Sequence, residues 1–318
     1  MPARPPTTTS LLVSDRLPRR RLAGTMWQGM GSRAGRTVTR LPDRGYRRAE
    51  QGSVGPILLE VRPSGDHIDL QIWGPAATPT GEAERALAAC KAWAGFDDDL
   101  SGFADVIAGT PVLRRVASQI GEPIIGVMPR AAESFGRAVL GQLVQGLEAG
   151  RSIAQMVAMT GTPTGHGVWA YPTRSSLGAT SAHELRRCGI SLRSAGALHA
   201  FTVDEARFQA LANARDWHAM NTHLRRVKGC GVWTSAETRL YLGDADAISF
   251  GDYHIPALVG WALGERTETD EAMAELLAPY KPHRGRVIRL LESAAGRGLV
   301  SSKPRRGPRA ALSEHRYW

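Results

Sequence analysis

Between Leu224 and His254 the chain reads LRRVKGCGVWTSAETRLYLGDADAISFGDYH, and this stretch holds the residue types from which a site could be built. Gly229 and Gly231 flank Cys230, so the backbone there can turn sharply, accept positive φ and press flat against another surface. The amide N–H groups of such a turn, with the N-terminus of a following helix, make an anion site suited to a phosphate. Arg225, Arg226 and Lys228 add positive charge around it, although any one such side chain is ordinarily just solvated. Three carboxylates follow: Asp244, Asp246 and Asp252. A carboxylate held in a dry pocket stabilises developing positive charge and can orient or deprotonate water. Each also has an ordinary structural job. Asp244 and Asp246 lie in a Gly-Asp-Ala-Asp-Ala loop, where Asp forms turns, and Asp252 can cap a helix.

These groups need a frame. A short helical run precedes the glycine turn and a second begins at Trp233. After Gly251-Asp252-Tyr253 the pattern predicts a buried helix over 257–263 and two more over 269–277 and 285–295. Upstream, 133–156 reads as one strong helical segment. Phe135, Ala138, Val139, Leu140, Leu143, Val144 and Leu147 keep near-helical spacing there, which marks most of them as core. Residues 160–177 are rich in Gly and Pro, and their aromatics, Trp169 and Tyr171, either stack on a ligand or pin the loop to the core. Helices are expected over 181–187, 194–201 and 204–213.

The first hundred residues differ. Ile57–Arg62 and Ile68–Trp73 are β-rich, Ser64-Gly65-Asp66 supplies the turn between them, and a helix follows over 81–94. Phe96-Asp97-Asp98-Asp99-Leu100 then opens a largely helical region. Its three aspartates read as a helix first turn rather than as a cation site.

Composition narrows the class. Lys and Arg number 40 against 30 Asp and Glu, a net charge of +10 that favours a polyanionic partner. Arg-rich usage from a GC-rich genome would give a similar surplus. No apolar run approaches the ~20 residues needed to span a bilayer, and the first residues hold too short an apolar segment for a secretory signal. Cys90, Cys188 and Cys230 are far apart, giving neither a disulfide framework nor a metal pattern, so a reducing cytoplasm is expected.

Taken together, Gly229-Cys230-Gly231-Val232-Trp233-Thr234 and Gly251-Asp252-Tyr253-His254-Ile255 resemble the helix-hairpin-helix and Asp-Tyr box of the DNA-3-methyladenine glycosylase II family. The likeness extends more weakly from about 17 to 299. Leu140-Gly141-Gln142-Leu143-Val144 is similar to that family's Leu-Gly-Gln element, and Lys281-Pro282-His283-Arg284 to its Lys-Pro turn.

The resemblance implies an α+β protein, with a small N-terminal antiparallel β/α domain over 18–95 and a mostly α-helical helix-hairpin-helix glycosylase region over 96–299. A disordered basic N-terminus over 1–17 and a basic tail over 300–318 would flank them. It implies a monofunctional glycosylase that extrudes an alkylated base and hydrolyses its N-glycosidic bond, with Asp252 facing the oxocarbenium-like sugar. Trp233 and Tyr253 would line the pocket. Glu237 and His283 depart from the family's usual aromatics there and bear on which lesion fits. Gln142 and Leu143 would be presented to the DNA, Leu143 entering the gap as an apolar wedge; the bland reading of Leu143 is core packing. Arg225, Arg226, Lys228, Gly229, Gly231 and Thr234 would contact DNA. The carbonyls of Arg225, Val227 and Cys230 would hold a monovalent cation, and no iron–sulfur cluster is expected. Trp233 stands where the endonuclease III branch has its Schiff-base lysine, so water is the expected nucleophile. The partner would be double-stranded DNA bearing damaged bases, with no membrane contact, and the protein a monomer. The rival reading is a non-catalytic helix-hairpin-helix DNA-binding or lesion-recognition protein.

Overall fold

The computed structural model describes residues 9–19, 36–121, 123–144 and 146–301. The chain begins with strands β1 (Thr9–Pro18), β2 (Val38–Arg40), β3 (Tyr46–Glu50), β4 (Ile57–Ser64) and β5 (His67–Pro75). Helices α1 (Thr80–Trp93), α2 (Phe103–Ile107), α3 (Pro111–Ile120), α4 (Ala131–Leu140) and α5 (Gly146–Thr160) follow. A two-strand hairpin, β6 (Thr162–Pro163) and β7 (Trp169–Ala170), leads to α6 (Arg174–Ala179), α7 (Ala182–Arg187), α8 (Leu192–Val203) and α9 (Glu205–Asn213). The last five helices are α10 (Trp217–Leu224), α11 (Val232–Tyr241), α12 (Ile255–Leu263), α13 (Asp270–Leu277) and α14 (Arg284–Gly296). The architecture is α+β. No helix among the described residues is long and apolar enough to cross a membrane.

The chain divides into two compact units. The first holds the described residues up to Phe96 together with Val139–Glu205; the second holds Asp97–Ala138 and the chain from Ala206 onward. One sequence-continuous helical domain over 96–299 is therefore corrected. The physical reason lies in the sheet. Its order is β1-β5-β4-β3-β2, antiparallel throughout, and β4 is buried on both faces, as its run of five buried residues records. Arg48 lies under the Trp93 ring of α1 at 5.7 Å, so α1 covers the face that Arg48 shares with Leu59. On the alternate face Ala49, Leu58 and Trp73 pack against Val168 and Ala170 of the β6–β7 hairpin. The sheet thus recruits chain from beyond α4. Tyr171 is buried in this unit and Trp169 is half-buried under the guanidinium of Arg36, so both aromatics hold the loop in place.

The expected disordered N-terminus is likewise corrected over 9–17. Those residues form β1, antiparallel to β5 in a register running from Thr9 against Pro75 to Pro18 against His67. Its side chains are only partly covered, as befits an edge strand. Residues 1–8 and the tail from 302 lie outside the described residues.

The second unit is built on α14. Val287, Ile288, Leu290, Leu291 and Ala294 are buried and join Phe103, Leu113, Val116, Val259, Met273 and Leu277 in one core. Caps fix the surrounding helices. Pro111 starts α3, Thr269 accepts the Ala272 N–H at the head of α13, and Gly264 ends α12 with φ +94°. The Asp97–Asp99 run does neither job expected of it. Asp98 makes a bidentate ion pair with Arg286, one bond of 2.8 Å, and both side chains are buried.

Candidate active site at the hairpin

The glycine turn joins α10 to α11. The chain leaves α10 through N–H donations from Arg225 to Asn221, Val227 to Leu224 and Cys230 to Val227, at 3.0, 3.0 and 2.9 Å. Gly229 takes φ +95°, a left-handed conformation that any other residue would strain to adopt. A side chain added at Gly231 would meet no atom of the protein, so that glycine leaves open surface in front of α11. The first-turn amides of α11 point out of the helix end with no acceptor inside the helix. Arg225, Arg226 and Lys228 are exposed and have no ion-pair partner among the described residues. Cys230 is buried, which pushes its thiol up to about 12 and leaves it inert.

Trp233, in the first turn of α11, donates its indole N–H to Oδ2 of Asp252 at 2.8 Å. The other oxygen, Oδ1, accepts the backbone N–H of His254 at 2.7 Å and of Ile255 at 3.0 Å. Asp252 therefore caps the entry to α12 and meets the hairpin helix with the same carboxylate. The residue before it, Gly251, takes φ +77° and gives its N–H to Oδ2 of Asp270 at 2.8 Å. Two glycines at positive φ thus bracket this geometry, one in each loop.

The other two aspartates are structural. Asp244 pairs with Arg239 and is buried, which raises its pKa against the pull of that arginine. Asp246 pairs with Arg284. Both pin the loop after α11, as turn formers should.

Glu237, one turn beyond Trp233 on α11, is buried and fully engaged. Its oxygens accept Ser249 Oγ and, at 2.8 Å, Nη2 of Arg289. It is not a solvated surface side chain. Sequence reasoning missed Arg289 and its second partner, Glu292, 2.6 Å away. The available signal was Arg286, Arg289 and Glu292, charges that recur every three residues along α14.

Several expected site residues lie elsewhere. His283 is 4 % exposed. Its Nε2 reaches the Ser101 carbonyl at 3.0 Å and Nδ1 accepts from Arg286, while the ring packs edge-on against Phe103. With both nitrogens committed it is a packing residue, which corrects its pocket role. Thr234 is 1 % exposed and corrects to an interior residue of α11. Tyr253 is 73 % exposed and meets the His254 ring edge-on at 4.8 Å.

Gln142 and Leu143 belong to the first unit. The single helix expected over 133–156 is broken by the segment between α4 and α5. Phe135, Ala138, Val139 and Leu140 are buried as their spacing requires, but Leu143 is 84 % exposed at φ +56°. It is not a core leucine.

No family model matches the chain, and no curated protein matches it. Solved structures do. The chain is similar to the 3-methyladenine DNA-glycosylase from Archaeoglobus fulgidus, with a TM-score of 0.74 at 16 % identity over 89 % of this chain and 98 % of that one. This is the fold of the helix-hairpin-helix DNA glycosylases. The same fold aligns with the 8-oxoguanine glycosylase/lyase of Clostridium acetobutylicum in its apo-form, at TM-score 0.65 and 12 % identity over 91 % of this chain and 99 % of that one. It also aligns with the 3-methyladenine DNA glycosylase of Schizosaccharomyces pombe in complex with abasic DNA, at TM-score 0.51 and 16 % identity over 62 % of this chain and 98 % of that one.

Proposed function

We propose that this chain is a monofunctional DNA glycosylase that extrudes an alkylated base of the 3-methyladenine type from duplex DNA and hydrolyses its N-glycosidic bond. The observation that carries the reading is the Asp252 carboxylate, gripped by the His254, Ile255 and Trp233 N–H groups. A carboxylate has about four lone-pair positions. Three are taken in this structure, and the fourth is left for a water or an emerging sugar cation.

The chemistry follows from that placement. The C1′–N bond breaks with its electron pair moving to the base, and a base that was cationic leaves neutral. Asp252 stabilises the positive sugar while water adds at C1′ and gives up one proton to solvent, and an abasic site remains. The indole face of Trp233 attracts a cationic base. The chain has four lysines, Lys91, Lys228, Lys281 and Lys303, and none stands at the position of Trp233, so water rather than an amine is the nucleophile. The hairpin holds a phosphate at Gly229 and Gly231, with Arg225, Arg226 and Lys228 supplying the charge. Leu143, exposed on its own turn, is the wedge that occupies an emptied base position, with Gln142 beside it. The carbonyls of Arg225, Val227 and Cys230 are neutral oxygen donors suited to a hard monovalent cation. Val227 O already accepts the Cys230 N–H and retains a second lone pair for such an ion.

The test is base release from methylated duplex DNA by wild type and Asp252→Asn. The variant should bind the duplex normally and release base about 10²–10⁴-fold more slowly. Equal release by both removes Asp252 from the mechanism. Binding without release by either leaves a lesion-recognition protein.

A further inference from the structure

Asp252 is carried on the short loop between α11 and α12, and α11 grips that loop twice. Trp233 donates to Oδ2 of Asp252 at 2.8 Å, and one turn further along Glu237 accepts the hydroxyl of Ser249. Residues four apart stand on one face of a helix, so both contacts lie along the same side of α11. The loop closes on itself between them, where the Asp252 N–H donates to the Ser249 carbonyl at 3.3 Å. From α13, Asp270 accepts the Gly251 N–H at 2.8 Å. From α14, Arg289 donates to the other oxygen of Glu237 at 2.8 Å.

Glu237 and Ser249 are 6 % and 1 % exposed, and both Glu237 oxygens are engaged, so neither side chain has surface to offer a base. A carboxylate buried this deeply needs a countercharge, which Arg289 supplies. A carboxylate only accepts, so the Ser249 hydroxyl is the donor and its direction is set by Glu237. The His254 and Ile255 amides lie in the same stretch of chain as Asp252, so they set its rotamer and not its distance from the hairpin. A single tie at Trp233 would leave the loop free to swing about that one bond. The second tie, one turn away, fixes the swing and with it the aim of the Asp252 oxygens.

We propose that Glu237 is a positioning residue of this site, which acts through Ser249 to hold the loop that aims the Asp252 carboxylate, with Arg289 balancing its charge. The inference rests on the glycosylase reading of Asp252. Glu237 touches neither base nor sugar; its effect reaches the reaction only through the placement of Asp252, where an error of about 1 Å can cost 10²-fold in rate.

Ser249→Ala cuts the tie without removing a charge. In the full chain it should slow single-turnover base release from methylated duplex DNA by about tenfold or more, with duplex affinity within about twofold of wild type. Placed in Asp252→Asn, the same change should alter release by less than about twofold, because no carboxylate is left to aim. Glu237→Ala should repeat the loss, and the double variant should be no slower than the slower single one, since both changes cut one tie. An unchanged rate for Ser249→Ala overturns the proposal and leaves the glycosylase reading intact. An equal loss in the Asp252→Asn background also overturns it, because the defect is then one of general packing. Release of no base by wild type overturns both readings. Ser249→Ala decides the matter even if Glu237→Ala, which strands Arg289 beside Glu292 alone, does not fold.

Discussion

The indole nitrogen of Trp233 and Oδ2 of Asp252 lie 2.8 Å apart, although one residue opens α11 and the other sits in the loop before α12. This bond ties the carboxylate to the first turn of the hairpin's second helix. Trp233→Phe keeps a ring for packing and deletes the donor. A net hydrogen bond contributes about 0.5–1.5 kcal/mol, so base release should slow by roughly two- to tenfold with duplex affinity unchanged. Single-turnover release and a binding titration measure the two quantities separately. An unchanged rate would mean that the backbone N–H groups of His254 and Ile255 suffice to aim Asp252.

Leu143 combines two features that packing alone does not produce, exposure of 84 % and φ of +56°. A non-glycine residue in left-handed backbone costs roughly 1–2 kcal/mol, so Leu143→Gly should leave the unfolding midpoint level or slightly higher. Base release should drop about tenfold or more, since the apolar wedge that offsets a few kcal/mol of lost stacking is gone. A fall in stability without a fall in rate would make Leu143 a structural residue.

The legible parts were those coded locally. Strand β5 alternates, β4 is a β-rich run buried on both faces, the two turn at Gly65, which takes φ +59°, and α11 to α14 follow their apolar spacing. Gly229 and Asp252 could be read because a turn and an Asp-Tyr box are short-range patterns. What escaped was long-range. β1 is an edge strand whose partner, β5, follows only after three intervening strands, and its own half-covered side chains carry little alternation. The break at Leu143 keeps helical spacing on both sides, so periodicity runs through it unnoticed. His283 and the Arg289 bridge depend on which helices pack together, which spacing along one helix does not encode.

The Asp98–Arg286 pair replaces both readings of the aspartate run. Arg286 is 0 % exposed and also donates to the carbonyls of Pro123 and Asp99, at 2.7 and 3.0 Å. Removing one partner strands a buried charge, so Asp98→Ala should cost about 3–5 kcal/mol in urea unfolding. Millimolar Mg²⁺ or Ca²⁺ should leave the wild-type midpoint where it is. A marked stabilisation by either ion would restore the cation reading.

Glu292 makes a prediction for stability. Burial, with Glu237 and Asp252 and against Arg289, holds its pKa above the ordinary glutamate value of about 4.3. Between that value and the raised one, the folded protein keeps a proton that the unfolded chain has released. The native state then binds more protons than the unfolded state, and stability falls as pH rises through the window. Below about 4.3 both states are protonated and this cost vanishes; above the raised value it is complete and constant. Glu292→Gln has no proton to lose, and its amide oxygen can still accept from Arg289. Urea midpoints for wild type and variant between about pH 4.5 and 8 should diverge as pH rises, the variant declining less. Asp244, also raised by burial, contributes a parallel decline in both proteins and cancels from the difference. Identical slopes would show that Glu292 titrates alike in the folded and unfolded chains, and that burial beside Glu237 does not hold a proton on it.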